Sequence, residues 1–179
     1  MKSPAMKRKR EHKTNYKKRL NLLKSRLPRL VIRIYSKSIV GQFVEYSPDG
    51  DHVIIGANSL ALKKQGWKHN CGNLPAAYLL GIMLGKLGKS KKISKAILDI
   101  GFHPSIYGSK PYAVAAGLLD AGIDIPVSKE MLPPKERLFG KTIEEFAKHK
   151  QGKQFSTYKS SPDFEKDVEM LKSKLLGKK

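Results

Sequence analysis

The sequence predicts an α/β fold: a mixed sheet, built from an antiparallel meander plus a βαβ crossover, packed with helices and carrying a basic N-terminal helical arm and a helical C-terminal extension. Three observations predict it. Strand-like runs with short links fill residues 29–56. A short apolar run at 95–101 precedes an amphipathic helix and a further apolar triplet. Lysine and arginine crowd the segment ahead of Pro28, where Glu11 is the only acid. The chain therefore divides into a basic arm (1–28), an α/β core (29–127) and a C-terminal extension with two helices (128–179).

In the arm, Tyr16, Leu20, Leu23 and Leu27 recur at the spacing of one helical stripe. Lys13, Lys17, Lys18, Arg19 and Lys24 fall off that stripe. A single helix would bury the stripe on the core and turn its charge to a phosphate groove. Pro28 is expected to end it, and residues 1–6 to order only on binding. The competing reading is a solvated tail that only aids solubility. The apolar stripe and the strand directly after it weigh against that.

In the core, 29–35 reads as a strand with Leu30, Ile32 and Ile34 on one face and Val31, Arg33 and Tyr35 on the other. Residues 39–46 form a second strand. The turn signal Ser47-Pro48-Asp49-Gly50-Asp51 leads to a third at 53–56. Arg33, Lys37 and Gln42 are placed to present donors beside the arm. A polar region at 58–72 holds a short helix, 60–65, and the only tryptophan, Trp67. Residues 72–84 read as a helix capped by Asn73, with Pro75 in its first turn. It is apolar nearly all round, so it should lie between layers, and Gly81 and Gly85 permit close packing. Residues 86–92 read as a basic loop and a second phosphate contact. A buried parallel strand at 95–101 and a loop at 102–110 follow. Then come a helix at 111–121, with Val114, Leu118 and Ala121 on one face, and a last strand at 123–125. Loops after parallel strands are where such sheets hold ligands, which nominates His103, Tyr107 and Lys110.

In the extension, Pro133 and Pro134 break the chain, and Thr142-Ile143-Glu144-Glu145 reads as a capping box opening a helix to about Lys150. Ser161 and Pro162 open another, to about Leu176, whose stripe is Phe164, Val168, Leu171 and Leu175. That stripe needs a surface, on this domain or on a partner protein. The mixed charge of this segment favours a packed extension over a second basic arm.

Composition narrows the function. The net charge is +21 and the pI near 10.0, which calls for a nucleic-acid or anionic-surface partner. Cys71 is the only cysteine, which excludes an internal disulfide framework and fits a reducing compartment. No apolar run follows the basic N-terminus, so no signal peptide is expected. The longest apolar stretch, 74–84, is about half a membrane span, and the arm has neither Trp nor Phe on its apolar stripe. His69 and Cys71 have no second pair at ligand spacing, so no metal is expected. There is no Walker-type motif, no GxGxxG after a strand and no carboxylate cluster. The simplest role of Asp99 is to accept from backbone amides in the 101–107 loop. Nothing here forms a catalytic set or asks for a cofactor. Binding is the chemistry on offer: Arg and Lys neutralising phosphates, with Arg planes or Tyr16 stacking on unpaired bases.

Several stretches carry a family resemblance when taken in order and spacing. They are Arg8-Lys9-Arg10-Glu11-His12-Lys13-Thr14-Asn15-Tyr16 with Arg19-Leu20, then Pro28-Arg29-Leu30-Val31 and Gly66-Trp67. Gly72-Asn73-Leu74-Pro75-Ala76-Ala77-Tyr78-Leu79 and Leu98-Asp99-Ile100-Gly101 follow. Gly108-Ser109-Lys110 and Asp120-Ala121-Gly122-Ile123-Asp124-Ile125-Pro126 close the series. Nearly the full length resembles the 5S-rRNA-binding protein family of the large ribosomal subunit, in its archaeal form; bacterial naming counts it eighteenth and eukaryotic naming fifth. Residues 153–158 and the helix after them resemble the C-terminal part of the longer eukaryotic members, whose additional functions are not carried over.

The resemblance implies a non-enzymatic structural constituent of the cytoplasmic ribosome. It would bind 5S rRNA and help attach it to large-subunit rRNA in the central protuberance, among neighbouring large-subunit ribosomal proteins and away from any membrane. Carried over by position, it favours Arg8, Lys9, Arg10, Thr14, Asn15, Tyr16 and Arg19, then Arg29, Arg33, Lys37 and Gln42, as RNA contacts. The charge of the arm adds Lys7, Lys13, Lys17 and Arg26. Asn73 and Tyr78 match the family motif, though Asn73 reads first as a cap. Two alternatives stay open: an RNA-processing or RNA-modifying enzyme on the same basic surface, and a general chaperone-like RNA binder.

Overall fold

The computed structural model describes residues 4–148 and 163–177. Strands β1 (Arg29–Ile34), β2 (Ile39–Glu45), β3 (His52–Asn58) and β4 (Ile97–Asp99) form one sheet in the order β3-β2-β1-β4. The first three make the expected antiparallel meander, and β4 runs parallel to β1. Side chains alternate across a strand. Leu30, Ile32, Ile39 and Phe43 accordingly share one fully buried face.

The arm helices are α1 (Lys7–Arg10) and α2 (Tyr16–Leu23), and α3 (Ala61–Gln65) follows the meander. Helix α4 (Leu74–Ser90) covers the buried face of the sheet. The Asn73 side chain accepts from the Ala76 amide at 3.0 Å, the predicted cap. Helix α5 (Lys110–Asp120) packs along α4. The two touch backbone to backbone: a Cβ on Gly81 would strike the Val114 carbonyl, and one on Gly117 the Tyr78 carbonyl.

Three expectations about the arm and the core elements need correction. Residues 86–90 belong to α4, not to a loop, because the buried positions Leu84, Gly85 and Gly88 carry its stripe onward against Leu118, Ala121, Ile123 and Phe43. Residues 123–125 do not make a strand. They contribute one parallel bridge, Lys95 to Asp124, and Pro126 then denies the edge its next amide. The βαβ crossover thus joins β4 to a single bridge through α5. The arm is two helices instead of one, separated by His12 at φ 51°. Helix α2 stops at Leu23, well before Pro28. There the Ser25 hydroxyl donates to the Leu22 carbonyl at 2.7 Å and Arg26 turns left-handed at φ 55°. Leu27 therefore leaves the stripe, Leu20 is 60% exposed, and α2 buries no residue.

The extension holds, among the described residues, three α-helices where two were expected: α6 (Lys135–Phe139), α7 (Lys141–Lys148) and α8 (Phe164–Leu176), with α6 the addition. Its expected features at Lys150, 153–158 and 161–162 lie outside the described residues. Phe164, Val168, Leu171 and Leu175 are all buried, and α8 packs on α4, so this domain is the surface their stripe needed. Thr142 is not a cap, since α7 already starts at Lys141. Glu144 instead accepts from the Glu165 amide at the start of α8, at 2.9 Å.

Polar anchors fix α8. Lys172 Nζ donates to the Tyr78 hydroxyl at 2.6 Å and to Asp120 at 2.9 Å, and Tyr78 donates to Asp120. His69 Nε2 lies 2.7 Å from Asp167, and the His69 ring stacks on Phe164 with centroids 4.0 Å apart. Burial, helped by the hydrogen bond to Asp120, pushes the Tyr78 phenol up to about 12. Burial alone would raise Asp120, yet the hydrogen bonds from Tyr78 and Lys172 outweigh it and hold the carboxyl low. Burial alone would lower Lys172, and the same bonds reverse that.

Two outcomes are expected. Gly117→Val should lower stability by roughly 1–3 kcal/mol in urea unfolding, because backbone stands where the side chain must go. The fold favours neutral Tyr78, so its contribution is complete below the ordinary value of 10.0 and is lost as pH rises toward about 12. The urea midpoint should fall across that window, and Tyr78→Phe should flatten the fall.

Candidate nucleic-acid interface

The sheet face turned away from α4 carries Arg29, Val31 and Arg33 from β1 and Val40, Gln42 and Val44 from β2. The arm runs across one end of it. Between them lies a groove of about 670 Å³. Arg8, Lys13, Lys18 and Arg19 line its arm side, and Arg33, Val31 and Val44 line the sheet side. Residues 100–103, just after β4, close one end.

A chain of alternating charges ties these parts together. Arg19 Nη2 donates to Asp51 at 2.9 Å, and Arg29 Nη2 donates to the other oxygen of the same carboxylate. Arg29 Nη1 donates to Asp99 at 3.1 Å. Asp99 also accepts from the Gly101 amide at 2.9 Å, as its position in the sequence suggested. Arg33 Nη1 donates to the Ile32 carbonyl at 2.8 Å and lies 4.0 Å from Asp99. Arg29 is 4% exposed. The sequence nominates it as an RNA donor, but its two Nη groups are engaged by carboxylates and it braces the groove floor.

The arm is shaped by its own capping. Asn15 accepts from the Lys18 amide at 3.1 Å and opens α2. Arg8 Nε donates to the Thr14 hydroxyl at 2.9 Å, which folds α1 back toward that cap.

Of the nominated residues, the groove gathers Arg8, Lys13, Thr14, Asn15, Arg19, Arg29, Arg33 and His103. It does not gather the others. Lys7, Lys9 and Arg10 are exposed on α1, Tyr16 and Lys17 begin α2, and Arg26 lies in the link to β1. Lys37 is exposed between β1 and β2, and Gln42 packs beside Gly56. Tyr107 is exposed on the loop that ends at Lys110, the first residue of α5. The nominations omit Lys18, Asn21, Asp51 and Phe102, which also line the groove. Lys18 was legible from the basic run around it. Asp51 was not, because its partners lie far away in sequence.

A cationic cleft between a basic arm and an uncovered sheet face makes this an α/β protein of the polyanion-binding class. The model of the family described as ribosomal large subunit proteins 60S L5 and 50S L18 matches residues 3–91, which include the arm, the meander and α4. The large ribosomal subunit protein uL18 of Korarchaeum cryptofilum (strain OPF8) is 47% identical over 156 residues, covering 84% of this chain and 80% of that protein. The chain belongs to this family. It is a structural, RNA-binding protein of the large ribosomal subunit and not an enzyme, with rRNA and other ribosomal proteins as partners. Among the described residues, no helix is long and apolar enough to cross a membrane.

The buried pair gives a direct test. Asp99→Ala leaves the Arg29 charge in the interior with one partner fewer, and should cost about 3–5 kcal/mol in urea unfolding. Replacing both, as Arg29→Met with Asp99→Leu, should recover most of that loss.

Proposed function

We propose that this chain binds 5S rRNA and helps attach it to the large-subunit rRNA in the central protuberance. The observation that carries the reading is the cationic groove between arm and sheet, whose arm and meander residues fall within residues 3–91, the part matched by the family of ribosomal large subunit proteins 60S L5 and 50S L18. In this reading residues 1–28 grip RNA, 29–127 form the platform, and 128–179 turn toward neighbouring ribosomal proteins. Arg8, Lys13, Lys18 and Arg33 meet phosphates from the groove walls. Lys7, Lys9, Arg10, Lys17, Arg26 and Lys37 extend that field, and Gln42, Tyr16, Tyr107, His103 and Lys110 supply further contacts at its margins. Selectivity comes from the shape of loops and junctions, because side chains do not read the deep groove of A-form RNA.

Gel shifts across a salt series test this, with an equal-length fragment of other rRNA as competitor. A preference for 5S rRNA should survive competition at physiological salt. Deleting residues 1–27 should weaken binding by about a hundredfold or more and flatten its salt dependence. Equal binding to both RNAs, collapsing together as salt rises, would point instead to a general RNA binder.

A further inference from the structure

Phe102 is 54% exposed, yet it lines the groove beside Arg8, Lys13, Lys18 and Arg33. A large aromatic ring adds nothing to phosphate attraction, and water is a poor neighbour for it. Nor is it a floppy loop residue turned out by chance. Gly101, directly before it, sits at φ 64°, a conformation favouring glycine, and its amide is held by Asp99. The His103 amide, directly after it, donates to the Ile100 carbonyl at 3.3 Å. The Arg33 guanidinium packs against Gly101 on the other side. The chain is braced at both flanks of Phe102, and the ring is held out into a cationic cleft.

The partner for such a place must offer a flat apolar face and negative charge within a few ångströms of each other. An apolar protein surface would strand the surrounding cations in a low dielectric without counter-charges. An acidic protein surface would leave the ring uncovered. A nucleotide supplies both, with phosphate for Arg33 and the arm lysines and a base for the ring. The base must be unpaired, because a base inside a duplex already has neighbours on both faces.

We propose that Phe102 is a stacking platform for one unpaired base of the bound rRNA, whose phosphates lie along the basic walls of the groove. This rests on the RNA-binding reading above and adds what that reading lacks: a site that selects single-stranded over paired nucleotides independently of charge. Stacking on an aromatic side chain is tolerant of base identity, so the site would select structure more than sequence.

The test uses the full chain, with 5S rRNA and a fully paired RNA duplex of the same length as probes. Phe102→Ala should weaken binding to 5S rRNA roughly 5- to 100-fold, with its salt slope unchanged and duplex binding unaffected. Phe102→Leu, apolar but without a π face, should lose nearly as much. Phe102→Trp should bind like the wild type, and its added fluorescence, read against the wild-type signal of buried Trp67, should be quenched by 5S rRNA and not by the duplex. Wild-type affinity in Phe102→Ala, full rescue by Phe102→Leu, or an equal loss on the duplex would each overturn the proposal. Failure of the wild type to bind either RNA would overturn the RNA reading itself, and this inference with it.

Discussion

Arg29 carries a positive charge into the interior at the first residue of the first strand, and the parts of the cationic groove meet there. Desolvating a guanidinium costs several kcal/mol, and an ion pair returns that only with good geometry and satisfied donors. Asp51 comes from the turn between β2 and β3 and Asp99 from the end of β4, so both ends of the network are non-local. Arg19 then reaches Asp51 from the arm. The net contribution to stability of such a network is modest. Its structural consequence is larger: arm, meander and post-β4 loop are held in one register by charges paired across all three. Because α2 buries no residue, this polar tether takes the place that apolar packing holds elsewhere in the chain.

The back of the molecule is organised by the opposite principle. Helix α4 has the sheet on one side and α5 and α8 on others, so it is apolar nearly all round, and its amphipathic pattern is weak for that reason. Close approach of α4 and α5 needs glycine at both Gly81 and Gly117. The extension closes this side with a buried apolar stripe and two polar anchors, Lys172 on Tyr78 and Asp120 and Asp167 on His69. Rigid packing behind the sheet leaves its other face free to serve as a platform.

Much of this architecture was legible in the sequence because it is written in periodicity. The strands of the meander, the parallel β4, the Asn73 cap and the α8 stripe all follow from spacing and from turn chemistry. What failed was what periodicity does not encode. The stripe from Tyr16 to Leu27 is a genuine helical spacing, yet α2 stops at Leu23 and the left-handed Arg26 breaks the backbone that would carry it to Leu27. Residues 86–90 look like a loop because they are basic, but glycines at 85 and 88 fit against neighbours that only the fold brings near. The same limit applies to the groove. Its cations stand out as a charge run, whereas the role of Arg29 as brace depends on two aspartates distant in sequence.

Those aspartates also bear on how the groove meets a polyanion. Two carboxylates on the floor of a cleft proposed to bind phosphates look self-defeating, since they repel such a ligand. Yet Arg19 and Arg29 together balance them, and the cations left to act outward stand on the walls: Arg8, Lys13 and Lys18 on the arm, Arg33 on the strand. A phosphate backbone is therefore favoured along the walls and disfavoured at the floor, where carboxylate oxygens already hold the donors. In the proposed complex, a backbone kept to the rim turns the bases inward, toward the end of the cleft lined by Phe102 and His103. The acids thus give the groove an inside and an outside for a nucleotide. That polarity is what a surface reading RNA shape requires and what a uniformly basic surface lacks.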